Sequence, residues 1–417
     1  MFNNSGLSLN QAPPIEVVLR FFLSGSIFGI VLSVMLLFWH NDLSNISSPT
    51  TLAIVHTLTL GVMASFMLGA LFQMMPVLCG VHLKEPQDLS IRVNFTLLVG
   101  VIFLVTAFIN SSFILYMLAS LFLGFAIFTS AYKMVKQLIQ INHSPSSKGM
   151  LIAIIALTIT AFFGIVLVLI RAGFNIPFDY LTIKSIHFNF GLYGWISMLI
   201  ISVSFQVIEM FYVTPKYNSI YSKYITLSIF GLLILYAIFT FLKFDIDRFI
   251  PYIVALLIGV HAFLTLIKLK QKKRPINDAS IWFWVIGLLC LVLFAISYII
   301  DLPLLIIAEL FVFFALSIIY AMSYKIVPFL VWFHLNAKGY FDAPMMHEVI
   351  TPKYAKINLW IYLLSVILLL IASYYKIIFY IGSFLLLLSF SMLSLAIYSA
   401  WEKYNFTLKF GKKFNFK

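Results

Sequence analysis

Two histidines lie near the start of long apolar stretches of the sequence. His56 opens HTLTLGVMASFMLGALFQMMP, and His187 lies in IHFNFGLYGWISM. Ionisable groups in such surroundings usually face a protein interior or a water-filled cavity, and neutral imidazole is the commonest metal ligand. We therefore predict that His56 and His187 bind a metal or a cofactor. The alternative is that each is a hydrogen-bonded histidine at the membrane interface.

Two methionines and a third histidine are further candidate ligands for a metal. On an α-helix with 100° per residue, Met63 and Met67 would lie within about 20° of the direction of His56. Thioether and imidazole suit Cu(I), although methionine is also a common core residue. His261 could be a ligand, a proton carrier or a hydrogen-bonded core residue. The other histidines that the sequence places at membrane edges, and that we expect to be solvated or to face lipid headgroups, are His40, His82, His334 and His347.

A layer of polar residues recurs farther along the same apolar stretches. Gln73, Gln206 and Lys325 each follow an aromatic residue, and they are 133 and 119 residues apart. Glu209 follows Gln206 by three residues, and Glu309 precedes Lys325 in the third stretch. These five residues predict a proton path or a polar layer. Alternatively, Glu209 is a structural partner of Lys325.

The composition requires that these residues be carried on membrane helices. The chain of 417 residues is 63% hydrophobic and 10% charged, whereas soluble domains have about 25% charged residues. A spanning helix needs roughly 20 apolar residues. The predicted helices 1 to 12 cover roughly 15–39, 52–80, 91–109, 112–135, 150–171, 185–212, 221–242, 249–269, 280–300, 303–333, 355–374 and 377–400. The polar first 14 residues and the long first apolar run predict a spanning helix rather than a cleavable signal peptide.

The placement of basic residues predicts the orientation. The connections after helices 2, 4, 6, 8 and 10, together with the adjoining helix segments and the termini, hold 22 of the 27 Lys and Arg residues. Basic loops stay on the cytoplasmic side, so both termini are predicted to be cytoplasmic and helices 2, 6 and 10 to start at the outer face. We expect a multi-pass protein of a bacterial cytoplasmic membrane whose partner is the lipid bilayer, and no nucleic-acid partner. Neither a C-x-x-C pair nor a nucleotide-binding loop occurs.

The spacing of the polar layer predicts an internal repeat. Four helices separate each member from the next, so we expect three parallel repeats of four helices at 15–140, 149–273 and 280–404, within one transmembrane domain spanning 1–417. His56 and His187 would then lie near equivalent helix starts, and Glu309 near the third.

Two stretches resemble a known superfamily. HTLTLGVMASFMLGALFQMMP is similar to the second helix of haem–copper oxidase subunit I, especially in cbb3-type oxidases and nitric-oxide reductases, and HFNFGLYGW resembles a segment of the related NnrS membrane haem proteins. The resemblance implies a twelve-helix fold and a haem whose iron is bound by His56. It covers the full chain in topology, but only helices 2 and 6 in residues.

Two departures from that superfamily limit the implied function. Helix 10, read as LPLLIIAELFVFFALSIIYAMSYKIVPFL, lacks the H-x-H pair, and helix 7 lacks the histidines of the copper site. We therefore expect no oxygen-reducing copper centre of the usual kind, and enzymatic activity stays open. The resulting hypothesis is a haem protein for electron transfer, sensing or stress tolerance, with a redox carrier or respiratory subunits as partners. The alternatives are a copper or small-solute transporter and a cofactor-free assembly or scaffold subunit.

Overall fold

The fold is known from a computed structural model that describes residues 11–39, 43, 45–81, 83–372 and 376–413. Two of the histidines predicted to be solvated or to face lipid headgroups, His40 and His82, lie outside the described residues.

Twelve helices within the described residues are long and apolar enough to cross a membrane. They are α1 (Ile15–Trp39), α2 (Pro49–Cys79), α3 (Pro86–Asn110), α4 (Phe113–Leu138), α5 (Pro145–Arg171), α6 (Tyr180–Tyr212), α7 (Ser219–Phe241), α8 (Asp245–Lys270), α9 (Ala279–Ile299), α10 (Leu304–Ala337), α11 (Pro352–Ile371) and α12 (Ile377–Phe410). The predicted all-α, multi-pass membrane fold of about twelve spans is confirmed. Its orientation in the membrane remains a prediction from charge.

Several helices begin where a hydroxyl residue precedes a proline. Ser48 and Ser144 cap α2 and α5 by accepting hydrogen bonds from the amides of Thr51 and Ser147, and Thr351 caps α11 in the same way. Proline at the first helical position has no amide hydrogen that needs an acceptor, and its fixed φ suits the helix. These caps satisfy amides at helix ends, where the apolar sequence offers few other acceptors.

Two of the spanning helices change hydrogen-bonding pattern near the middle of their length. α2 is π-helical over Thr57–Ala64, and α6 is π-helical over Phe190–Ser197. The two segments begin 133 residues apart, the same spacing as Gln73 and Gln206. They also end alike, because the amides of Ser65 and Met198 both donate to the carbonyl three residues earlier. π-helices are rare and usually shorter than these, so the match supports the equivalence of α2 and α6.

The chain forms two compact units. The first consists mainly of Leu71–Pro275 and Leu288–Phe311, and the second of Pro14–Ala70, Ile276–Gly287 and Val312–Lys417. Within the first unit α4 packs against α3 and α5, and α5 packs against α6; within the second α12 packs against α1 and α11. These units cross the boundaries of the repeats 15–140, 149–273 and 280–404, and the three-part repeat remains a prediction.

Small residues allow neighbouring helices to approach closely within each unit. In the second unit a Cβ atom on Gly25 of α1 would lie 2.6 Å from the Phe66 ring of α2, and one on Gly69 would lie 2.7 Å from Phe21. Such contacts are typical of membrane helices, whose association depends on close packing.

One pair of glycines tests this packing. A Cβ atom on Gly100 of α3 would lie 2.9 Å from the main-chain nitrogen of Leu123, whereas one on Gly231 of α7 would meet nothing within 4 Å. We expect Gly100→Ala to lower the free energy of unfolding in detergent by about 1–3 kcal/mol, since α4 must shift. The matched control Gly231→Ala should change it by less than about 1 kcal/mol. Equal effects of the two substitutions in thermal unfolding would contradict this packing.

Candidate functional site

His56 ends the α-helical first part of α2, directly before the π-helical segment. Its side chain is half-buried, and its Nδ1 atom lies 2.8 Å from the carbonyl oxygen of Leu52, one turn earlier. A carbonyl oxygen can only accept a hydrogen bond, so Nδ1 carries the proton. The lone pair that could bind a metal therefore resides on Nε2. This hydrogen bond also fixes the orientation of the ring, as is usual for metal-binding histidines.

His187 has the same tautomer through a different contact. Its Nδ1 atom lies 2.9 Å from the carbonyl oxygen of Thr160 on α5. The imidazole lies against α5 at Gly164, where a Cβ atom would come 2.9 Å from the ring carbon Cε1. Gly164 therefore makes room for the ring, and the acceptor on Thr160 leaves the lone pair on Nε2. Sequence reasoning did not single out either α5 residue, because both act through the neighbouring helix.

The π-helical segments define the register between the two histidines. Counting back from Thr57 and Phe190, the residue that corresponds to His56 is Asn189, and His187 lies two residues earlier. The amide nitrogen of the Asn189 side chain donates to the carbonyl of Ser185, four residues back, as His56 does to Leu52. A polar side chain bonded to its own helix thus precedes each π-helical segment. His56 and His187 each have a separate local setting.

The glycines of α6 serve helix packing. A Cβ atom on Gly194 would lie 2.8 Å from the Cβ of Ala156 on α5 and 3.3 Å from Leu233 on α7. One on Gly191 would lie 3.2 Å from Thr160. Both glycines therefore allow α5 to approach α6 closely.

Met63 and Met67 are both buried in the second unit. Met63 lies inside the π-helical segment, where hydrogen bonds run from residue i to i+5. The prediction that Met63 lies on the same side of the helix as His56 assumed a rotation of 100° per residue. The rotation per residue is smaller in a π-helix, so this prediction does not apply between His56 and Met63. Among the described residues, no group of three or more His, Cys, Asp or Glu side chains is placed to hold a metal ion.

His261 is buried in α8 and surrounded by hydroxyl groups. The Tyr221 hydroxyl lies 2.9 Å from its Nδ1 atom, and the hydroxyls of Ser204 and Thr265 lie 3.1 and 3.3 Å from its Nε2 atom. Both ring nitrogens thus have protein partners. Of the three roles that the sequence allows, these contacts favour the hydrogen-bonded core residue.

Aromatic rings enclose the same imidazole. Tyr217 and Tyr221 stack on His261 at ring distances of 6.0 and 6.2 Å, both with an angle of 11° between the planes. The Tyr217 hydroxyl also lies 3.0 Å from that of Thr265, and burial raises the pKa of Tyr217 to about 12. Its hydroxyl therefore stays protonated near neutral pH. The main-chain amide of Tyr217 donates to the Glu209 carboxylate over 3.1 Å, which gives Glu209 a structural partner.

A second buried polar cluster lies in the second unit. The side-chain amide of Asn358 donates to the Tyr324 hydroxyl over 2.6 Å and to the main-chain carbonyl of Ser389 over 3.1 Å. The Ser389 hydroxyl lies 2.7 Å from the Asn358 side-chain oxygen and 3.0 Å from the Tyr320 hydroxyl. Phe283 stacks on both tyrosine rings, at 5.2 and 5.9 Å.

Sequence reasoning missed this second cluster, although a signal for it exists. The tetrapeptide Thr-Pro-Lys-Tyr occurs at 214–217 and again at 351–354. Tyr221 and Asn358 each follow its threonine by seven residues, and each is a central member of its cluster. The two clusters therefore occupy matching positions on α7 and α11.

Some side chains of the predicted polar layer have hydrogen-bond or ion-pair partners, and others do not. The Lys325 ammonium donates to the Asp278 carboxylate over 2.8 Å, the only ion pair among the described residues. The other oxygen of Asp278 accepts from Ser280 and from the amide of Ile281, which caps α9. Gln206 is half-buried. The Gln73 side-chain oxygen is buried and has no hydrogen-bond partner in the part of the chain that the structure describes.

α10 carries three buried side-chain atoms that have no hydrogen-bond partner among the described residues, in Glu309, Ser323 and His334. When Gln73 is aligned with Lys325, the position in α10 that is equivalent to His56 is Ala308, and Glu309 follows it by one residue. The Oε2 atom of Glu309 is buried and has no partner within the described residues. α10 also extends beyond its predicted end and includes His334, whose Nε2 atom is buried and likewise lacks a described partner. The prediction that His334 is solvated or faces lipid headgroups is wrong for this buried atom, whereas His347 is exposed as expected.

No protein-family model matches the chain, and comparison with curated protein sequences finds no significant relative.

The Asp278–Lys325 pair gives a pH-dependent prediction. Burial opposes the charge on Asp278, but hydrogen bonds from Lys325 and Ser280 outweigh it and hold the pKa of this carboxyl below its ordinary value of 3.8. A carboxyl with a lowered pKa stabilises the fold above its ordinary pKa, and that contribution is lost as the pH falls through its lowered pKa. Asp278→Asn, which keeps a cap on α9, should lower the free energy of unfolding at pH 7 by about 1–2 kcal/mol.

The matched control is Asp245→Asn, at an exposed position. In denaturant titrations the difference between wild type and Asp278→Asn should shrink from pH 5 toward pH 3. A difference that stays constant over this range would refute the contribution of the pair.

Proposed function

We propose that this integral membrane protein binds haem, with the Nε2 atom of His56 in the second unit and that of His187 in the first unit as separate candidate axial ligands, and that it is a divergent member of the haem–copper oxidase subunit I superfamily. The proposal is supported chiefly by the two Nδ1 contacts, at 2.8 and 2.9 Å from main-chain carbonyl oxygens. Both contacts leave the basic nitrogen on the side of the ring that binds haem iron in histidine-ligated proteins.

The donor chemistry of this chain fits haem iron. Imidazole is a usual axial ligand, and the carbonyls of Leu52 and Thr160 would orient the two rings and increase their basicity. A bound haem would supply one-electron transfer or binding of a gas molecule at its iron. The residues of the chain would exclude water from the ring edges and hold the imidazole protons on Nδ1.

The missing histidines restrict this function. α7 contains no histidine, and the only histidine of α10, His334, lies in its last turn. The chain therefore lacks the H-x-H pair and the copper ligands of the superfamily. This favours electron transfer, sensing or stress tolerance in a bacterial cytoplasmic membrane over oxygen reduction at a copper centre.

A second candidate function, a carrier of Cu(I) or a small solute, is favoured by the π-helical segments. They interrupt α2 and α6 near the middle of these spanning helices, and carriers bind substrates where helices are irregular at mid-depth. Met63 lies inside one of these segments, and Met67 follows it by one turn. Both offer the soft thioether sulfur that Cu(I) prefers.

The haem proposal is tested by absorption spectroscopy of the purified chain. A reduced-minus-oxidised spectrum should show a haem Soret band, and iron analysis should give at least one iron per chain. His56→Ala and His187→Ala should each shift or remove this band, because each substitution removes an axial nitrogen. The control His347→Ala, at an exposed position, should leave the spectrum unchanged. A wild-type preparation without a Soret band and without iron rejects the proposal.

The carrier candidate is tested by Cu(I) uptake into vesicles that contain the purified chain. Met63→Leu combined with Met67→Leu preserves side-chain volume but removes both sulfur atoms. We expect uptake to fall at least tenfold in this variant. Met198→Leu, at a buried position in α6, is the matched control and should retain uptake. Uptake that is the same in the double variant, or no greater than in empty vesicles, rules out a copper path through these methionines.

A further inference from the structure

Six cationic side chains gather at one end of α6, α7 and α8 in the first unit. They form what we call the basic cluster: Lys216, Lys268, Lys270, Lys272, Lys273 and Arg274. The single ion pair in the described part of the chain, between Lys325 and Asp278, involves none of them. The positive charge of the basic cluster is therefore not neutralised by a direct contact with a described carboxylate.

Main-chain carbonyls hold the basic cluster in place. The Lys268 ammonium donates to the carbonyl of Lys216 over 2.7 Å, and the Arg274 guanidinium donates to that of Phe211 over 3.4 Å. The main-chain amide of Lys273 donates to the carbonyl of Val213 over 3.1 Å. These bonds fold the connection after α8 onto the connection after α6. These hydrogen bonds order the basic cluster. Because carbonyl groups carry no net charge, the basic cluster also remains strongly positive.

The surroundings of the basic cluster are those of a membrane interface. Val213 and Ile220 are 50% and 69% exposed, and Tyr224 is 49% exposed. Exposed aliphatic side chains beside lysines and a tyrosine are typical of the depth at which lipid headgroups lie. Two carboxylates lie near these residues in the sequence: Glu209 near the end of α6 accepts a hydrogen bond from the Tyr217 amide, and Asp278 is paired with Lys325. Two acids that already have partners leave the six cations of the basic cluster with a large excess of positive charge.

We propose that the basic cluster binds the phosphate headgroups of anionic phospholipids in the leaflet that surrounds it, predicted to be the cytoplasmic one. Phosphate oxygens accept charge-assisted hydrogen bonds from guanidinium and ammonium groups. Each lysine near a membrane surface strengthens attraction to anionic lipid roughly fivefold. The exposed aliphatic residues select a lipid over a free phosphate ion, because acyl chains can cover them. This inference is independent of haem or copper binding.

The test measures lipid selectivity of the full chain in phosphatidylcholine vesicles that contain a trace of spin-labelled phosphatidylglycerol. The variant combines Lys216→Gln, Lys270→Gln and Lys273→Gln. These three side chains are exposed, and their ammonium groups make none of the hydrogen bonds that fold the connection. We expect the relative association constant for phosphatidylglycerol to fall at least tenfold. The preference of wild type should also weaken as sodium chloride is raised, because exposed charges are screened.

The matched control removes the same charge elsewhere in the first unit, by combining Lys133→Gln, Lys136→Gln and Lys148→Gln on α4 and α5. This control should retain at least half of the wild-type selectivity. Equal losses in the two triple variants would overturn the proposal, because general charge would then explain the binding. No loss in the first variant would also overturn it. Full displacement of the labelled lipid by millimolar inorganic phosphate would show a site for free anions instead.

Discussion

The structure depends on one constraint: in a bilayer without water, the chain itself must satisfy its polar groups. Helices meet this requirement for the backbone, which explains why the twelve candidate spans in the described part of the chain are long helices. The same constraint governs side chains. The two clusters around His261 and Asn358 pair hydroxyl, imidazole and amide groups in buried networks. His56 and Asn189 bond to carbonyls of their own helices for the same reason. Polar residues in the spans are thus distributed according to the acceptors that are available.

The sequence predicts the spans well because long apolar runs and basic connections are strong, local signals. It predicts the candidate site less well, because that site depends on the hydrogen-bonding register of the helices. A π-helical segment has more residues per turn than an α-helix, and no feature of the composition marks where it occurs. The direction of Met63 relative to His56 therefore could not be predicted from the sequence. His56 and His187 are 131 residues apart, whereas Gln73 and Gln206 are 133 apart, so their two-residue offset is visible in the sequence itself. Contacts from a neighbouring helix, such as Thr160 with His187, need the tertiary structure.

The register set by the π-helical segments changes how the histidines are interpreted. At the position before the π-helical segment, α2 has His56 and α6 has Asn189, while the matching position of α10 has Ala308 in an uninterrupted α-helix. Symmetry therefore does not create a ring of ligands. Each imidazole is oriented by a different hydrogen bond: that of His56 by a carbonyl of its own helix and that of His187 by a carbonyl of α5. A polar residue bonded to its own helix precedes the π-helical segment in both α2 and α6, and only in α2 is that residue a histidine.

The unsatisfied buried atoms identify where the first unit departs from the general constraint. The Gln73 side-chain oxygen, the Trp195 indole nitrogen and the Glu309 carboxyl oxygen lack hydrogen-bond partners among the described residues. Trp195 lies within the π-helical segment of α6, and Glu309 aligns with the first residue of such a segment. Leaving a buried polar group unpaired is costly, more so for a carboxyl. His261 and its hydroxyl partners show that the same unit can pair buried polar groups, so these three atoms are local exceptions whose cost the packing around them must offset.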